Sequence, residues 1–271
     1  MHILKKWVED DPYHFMILEG RAQGSAKDNF FWMLAQVESD YYMFADQDDV
    51  WMPDKVEKSF KKMKQTEMLC QDKYQAFCVF TDMQVVDENL HEIAPSFIRY
   101  IGRDPYRTSM AEIIMDNPAA GCTMLFNRPL RDAALELQDP TKIEMHDVWI
   151  LALAAAYGTE HVGVVDEACA YYRQHANNEM GARTESKADK IKRNLIDLCS
   201  GRFMQQKRAF LQKGRDLAGQ MYLVDVLPEK QKKILEEFSE IGKLSKWQRI
   251  KFYKKYGFTR NQGTGWMYLW I

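Results

Sequence analysis

The chain lacks any run of about eighteen consecutive apolar residues, the minimum for a membrane-crossing helix, so none is expected. Its N-terminus has no basic, apolar and small-residue succession, so the given sequence shows no secretory signal pattern. Cysteine is sparse: Cys70, Cys78, Cys122, Cys169 and Cys199 are odd in number and include no Cys-x-x-Cys pair. That argues against a disulfide framework or a zinc site and for reduced thiols in a cytoplasmic protein. Internal repeats and low-complexity segments are also missing, which excludes a repeat array.

What is present is ordinary globular composition, 46% hydrophobic and 28% charged. A chain of 271 residues can bury a full core, as one large domain or one domain with an appendage. The net charge of −2 conceals a division along the chain. Residues 1–181 carry 17 Lys and Arg against 30 Asp and Glu, net −13, whereas residues 182–271 carry 20 against 9, net +11. The tail therefore suits an anionic partner, with a membrane surface ranked above nucleic acid because no nucleic-acid-binding motif appears.

Met1 to Val8 reads as a helix end and His14 to Leu18 as a strand. A glycine-containing loop over 19–25 leads into a helix from Ala26 to Val37. Pro53 opens a further helix, with Val56, Phe60 and Met63 as its apolar stripe. Ala76 to Phe80 is a doubly covered strand ending in Thr81-Asp82. An apolar segment follows over Ala119 to Phe126, then a helix from about Asp147 to Tyr157 and short strands near Val162–Val165 and Cys169–Tyr172. Alternation of this kind predicts an α/β domain with a mostly parallel sheet. Beyond about Ala182 the chain reads as helical, with Ile191, Leu195 and Leu198 on one face, and Pro228 opening a helix that holds Ile234, Phe238 and Ile241.

The densest chemical signal is Tyr41 to Trp51, an aromatic strand that ends in Asp46, Asp48 and Asp49. Three carboxylates so close repel one another unless a cation or a basic partner neutralises them. At a strand end in an α/β sheet, hard oxygen ligands suit Mg2+ or Mn2+. The competing reading is a solvated acidic turn with one Asp capping the next helix.

The stretch Asp46-Gln47-Asp48-Asp49-Val50-Trp51-Met52-Pro53-Asp54-Lys55 resembles the metal-binding signature of family 2 glycosyltransferases, especially bacterial rhamnosyltransferase-like members. Other segments resemble that family in order: Gly24 to Phe30, Phe80-Thr81-Asp82, Gly121-Cys122-Thr123-Met124, Met145 to Trp149, and Tyr172-Arg173-Gln174-His175 with Asn178 and Gly181. The resemblance implies a GT-A type catalytic domain over 1–181 and a basic helical region over 182–271. It implies inverting transfer of a sugar from a nucleotide-sugar donor to a glycan or lipid-linked acceptor in cell-surface polysaccharide synthesis.

It further implies site roles. Asp46 and Asp48 would hold the ion, with Asp49 a direct or outer contributor, and Asp147 would be the base, or else only a helix N-cap. Gly24, Asn29, Arg173 and His175 would bind the donor. For Arg173 a surface salt bridge is the alternative to phosphate; His175 would be a metal ligand or a diphosphate contact, with a plain hydrogen-bonded role as the alternative. Asp82, Gly121, Cys122, Thr123 and His146 would line the substrate. Trp51 and Trp149 would stack on sugar or else fill the core.

The basic residues Lys243 to Lys255, interleaved with Leu244, Trp247, Ile250, Phe252 and Tyr253, and the closing Gly265 to Ile271 would meet an anionic bilayer or pack on the body. The expected location is cytoplasmic, with the inner membrane face as a peripheral station.

The family's opening strand-helix-strand has no counterpart here, so the domain is expected to be N-terminally truncated, with part of the donor pocket gone. Two other readings stay open: an aspartyl phosphohydrolase using Asp46, and an inactive membrane-associated binding module.

Overall fold

The computed structural model describes residues 2–20, 24–70, 75–174 and 202–261. It divides into two compact units, Met1–Glu38 and Ser39–Ile271.

The first unit holds helices α1 (His2–Asp10) and α2 (Ala26–Gln36). Ser25 caps α2 by accepting the Asp28 N–H, as Ser does at helix starts. The strand expected over His14 to Leu18 is not there. Backbone bonds from His14 and Phe15 to the Asp11 carbonyl make a turn, and the ring of Phe15 lies 5.5 Å from that of Trp7. Alternating apolar residues extend into a strand only where a neighbouring strand takes their backbone groups.

The second unit is an α/β body with helices added after residue 202. Its strands are β1 (Tyr41–Met43), β2 (Val50–Trp51), β3 (Cys78–Val86), β4 (Glu92–Ala94), β5 (Met124–Asn127) and β6 (Val162–Arg173). Their order is β1-β5-β3-β6-β2, with β4 also on β3. The sheet is mixed, not mostly parallel: β3 and β6 run parallel, and the other pairs are antiparallel. Two expected short strands are one, β6, kept on β3 through irregular register near Asp82. Likewise β3 continues past Thr81-Asp82 to Val86 instead of ending there.

Helices α3 (Lys55–Cys70), α4 (Phe97–Tyr100), α5 (Met110–Asp116), α6 (Arg128–Leu135) and α7 (His146–Tyr157) surround the sheet. The apolar stripe expected on α3 holds at Met63 alone: Val56 and Phe60 are exposed, and Lys55, Ser59 and Thr66 share the inward face with Met63. Helix α7 is buried all round from Trp149 to Ala156, as a helix without a polar face must be.

The tail forms α8 (Arg202–Tyr222), α9 (Glu229–Ser239) and α10 (Lys246–Tyr256). Pro228 stands at the α9 start as expected, while Ile241 falls in a separate 3-10 turn, Ile241–Lys243. The aromatics of α10 divide between the two readings. Phe252 and Tyr253 pack around Phe238 and Phe258, whereas Trp247 is 73% exposed. Residues 191, 195, 198 and 265–271 lie outside the described residues.

Candidate active site

The acidic residues lie on the connection between β1 and β2, which stand at opposite ends of the strand order. Four strand spacings on a flat sheet are roughly 19 Å. The chain from Met43 to Val50 reaches at most roughly 24 Å fully extended. It also contains a turn at Gln47-Asp48, so the sheet curls and the segment crosses it instead of forming a hairpin.

Under this crossing lies the 3-10 turn Gly121–Thr123 that precedes β5. The ligand atoms of Asp46, Asp49 and Cys122 come within 4.8 Å of one another. Asp48, expected to pair with Asp46, is not in that group. Instead its backbone carbonyl accepts from Arg173 Nε at 3.0 Å, tying the acidic turn to the end of β6. Burial raises the Asp49 pKa and so do Asp46 and Asp48, while the Cys122 thiol and the Arg173 backbone act the other way. Asp49 Oδ2 is buried with no hydrogen-bond partner, a condition that costs about 1–3 kcal/mol if nothing binds there.

Burial, with Asp49 and Asp46, pushes the Cys122 thiol well above its ordinary pKa, so it stays protonated. Its sulfur also lies 3.6 Å from Met83 Sδ. The donor set thus amounts to two carboxylates and a neutral thiol, which fits a hard divalent ion held mainly by oxygen better than a thiolate metal.

A cation is already built into the floor. Lys55 is fully buried, donates to the Cys122 carbonyl at 2.6 Å, and lies 3.9 Å from the centre of the Trp51 ring. Burial lowers its pKa, and Cys122, Asp49, Cys169 and Asp46 act against that. This role explains the inward face of α3: the helix turns its lysine inward to meet the acidic crossing.

On the other side stands the start of α7. Gly121 packs so close to His146 that any Cβ there would collide with Nε2. Phe44, at the root of the crossing, meets the His146 ring edge-on at 5.0 Å. Burial holds the His146 pKa down at about 4.

Asp147 is not the N-cap of α7. Met145 occupies that position without a side-chain cap, and Asp147 instead accepts the Val148 N–H at 2.5 Å. Burial raises the Asp147 pKa to about 6; Val148 and Arg103 oppose the rise, and Glu144 and Asp46 add to it. Gly121, beside Cys122, and Phe44 both pack on His146, beside Asp147, so the acidic crossing and the start of α7 adjoin one another.

Several expected site residues are engaged elsewhere. Asp82 is buried and holds the β4–α4 loop. It accepts from Met83 N at 2.7 Å, from Ile98 N at 3.1 Å and from the Ser96 hydroxyl. Thr123 donates to the Ala120 carbonyl at 2.7 Å, closing its own turn. Trp149 is 0% exposed and donates Nε1 to the Ala134 carbonyl, so it fills the core and is not open to a sugar. Trp51 packs half-buried beside Met83 and Val85. Gly24, in the left-handed region at φ 94°, and Asn29, whose N–H bonds the Ser25 carbonyl, belong to the first unit. His175, Asn178 and Gly181 lie outside the described residues.

Two residues here carried no assigned role on sequence grounds. Lys55 closes the acidic signature without a role of its own. Arg103, hydrogen-bonded to the Asn117 carbonyl and 3.5 Å from Asp116, sits in no motif at all. A lysine four residues after a tryptophan, downstream of an unneutralised acidic run, was the only available hint of the first. Compared with known proteins, the chain matches no family model and no curated protein.

Proposed function

We propose that the protein is a metal-dependent, inverting glycosyltransferase that moves a sugar from a nucleotide-sugar donor to a glycan or lipid-linked acceptor. One observation carries this reading. Two carboxylates, one of them with a buried oxygen that lacks a hydrogen-bond partner, adjoin through Gly121 and His146 the carboxyl of Asp147, whose pKa burial raises to about 6. A metal grip and a base of near-neutral pKa are the two parts such a transfer needs.

Asp46 and Asp49 would hold Mg2+ or Mn2+, whose Lewis acidity offsets the charge of a diphosphate leaving group. Asp147 takes the proton of the acceptor hydroxyl as its oxygen bonds to the anomeric carbon. The bond from that carbon to the diphosphate oxygen breaks on the opposite face. With a pKa near 6, Asp147 is mostly ionised at neutral pH yet basic enough to accept a proton. Arg103 opposes the rise of the Asp147 pKa.

Exposed Lys246, Trp247, Lys251 and Lys254 on α10 support a peripheral station on an anionic bilayer. Among the described residues no helix is long and apolar enough to cross one.

The experiment is nucleotide binding and sugar transfer, with and without Mn2+, in the wild type and Asp147→Asn. The variant should bind a nucleoside diphosphate as the wild type does and lose transfer; equal loss of both would remove Asp147 as base. Hydrolysis of an aryl phosphate, abolished by Asp46→Asn, would favour a phosphohydrolase instead.

A further inference from the structure

Away from the acidic crossing, α8, the turn Ile241–Lys243 and α10 enclose an open cleft of about 370 Å³. That falls within the roughly 300–1,000 Å³ usual for small-ligand sites. Arg208, Arg215 and Arg249 line it, and among the described residues no carboxylate does. Three arginines along one cleft make a positively charged wall, which suits an anion.

The site is also shaped. Arg215 Nε donates to the Ser239 carbonyl at 2.9 Å, which fixes its fork. Gly242 makes room for that fork: a Cβ there would lie 2.9 Å from one terminal nitrogen and 3.1 Å from the other. Tyr253, 2% exposed, forms part of the wall. Burial raises its pKa, and Arg249 and Arg215 oppose that rise, so their field reaches the wall of the cleft. Arg208 is exposed on α8.

We infer that this cleft binds a phosphoryl group, held by Arg208, Arg215 and Arg249, belonging either to a soluble phosphate ester or to a phospholipid headgroup. Guanidinium forks match phosphate oxygens through paired, charge-assisted bonds. The inference does not rest on the transferase reading, since none of its residues belongs to the acidic site.

The test uses the full chain in EDTA, so that pyrophosphate cannot bind at Asp46 and Asp49 through a metal. Inorganic pyrophosphate is titrated by calorimetry, and in parallel the protein is floated with phosphatidylcholine vesicles with and without phosphatidic acid. Saturable binding of pyrophosphate supports a soluble ester, and flotation dependent on phosphatidic acid alone supports a headgroup. In either case Arg208→Gln should weaken binding about tenfold or more without altering the thermal melt, and Arg215→Gln, which also loses the bond to Ser239, should weaken it at least as much. Gly242→Ala, which displaces the Arg215 fork, should weaken it too, and Asp49→Asn should not. Failure of both probes to bind the wild type, or wild-type binding by both arginine variants, overturns the inference.

Discussion

Lys55 Nζ donates to the backbone carbonyl of Cys122 at 2.6 Å from a position with no solvent exposure. A lysine is almost never so buried unless something anionic holds it there. Burial lowers its pKa, and Cys122, Asp49, Cys169 and Asp46 oppose that fall, so the acidic crossing contributes to the field around it.

Lys55→Met keeps the length of the side chain and removes its charge. Removing one partner of a buried charged set costs about 3–5 kcal/mol. We expect a loss of that order in EDTA and partial recovery in Mn2+, measured by chemical denaturation. An equal loss in both conditions would show that Lys55 serves the fold without serving the acidic group.

Gly121→Ala forces His146 away from the crossing, since the added carbon and Nε2 cannot share the space. Overpacking of a tight site typically costs about 1–3 kcal/mol. The variant should fold, show a shifted His146 imidazole signal by NMR, and lose most transfer activity. An unchanged signal would mean that the close approach is not maintained in solution.

The start of α7 makes stability depend on pH in two opposed ways. The Asp147 pKa is raised to about 6, so its contribution is greatest below the ordinary carboxyl range and is lost as pH rises through 6. The His146 pKa is depressed to about 4, so its contribution is present above the ordinary imidazole range and is lost as pH falls toward 4. Asp147→Asn should therefore be more stable than the wild type at pH 7, by on the order of 1–3 kcal/mol, with the gap closing toward pH 4. Urea denaturation across that range checks the sign. The same pKa predicts transfer that falls about tenfold per pH unit below 6.

Asp82 gives a control outside the acidic group. Asp82→Ala leaves two backbone N–H groups and the Ser96 hydroxyl without their acceptor. Stability should fall by roughly 2–4 kcal/mol, with Mn2+ affinity unchanged. A variant of normal stability that binds substrate poorly would return Asp82 to the substrate site.

The acidic crossing was readable from the sequence because three aspartates after an aromatic strand have few inexpensive fates. The start of α7 stood out only because Met145 to Trp149 resembles a segment of the family, and no local physical pattern marked it. What escaped depends on long-range pairing. The direction of β5 beside β3 has no local signal, so an antiparallel pairing passed for part of a parallel sheet. A period of 3.6 selects a helix face by its apolar residues, which puts Val56 and Phe60 inward. The charge on Lys55 overrides that choice once Asp49 and Asp46 lie above it. Trp149 and Asp82 have side chains equally suited to ligands or to the interior, and only their partners, the Ala134 carbonyl and the α4 backbone, decide between the two.

Calorimetric titration of Mn2+ into the wild type, Asp46→Asn, Asp48→Asn and Asp49→Asn tests the account at its centre. The geometry predicts binding by the wild type, a loss of tenfold or more in the Asp46 and Asp49 variants, and near-normal affinity in the Asp48 variant. No binding by the wild type, or a loss in Asp48→Asn as large as in Asp49→Asn, would contradict it.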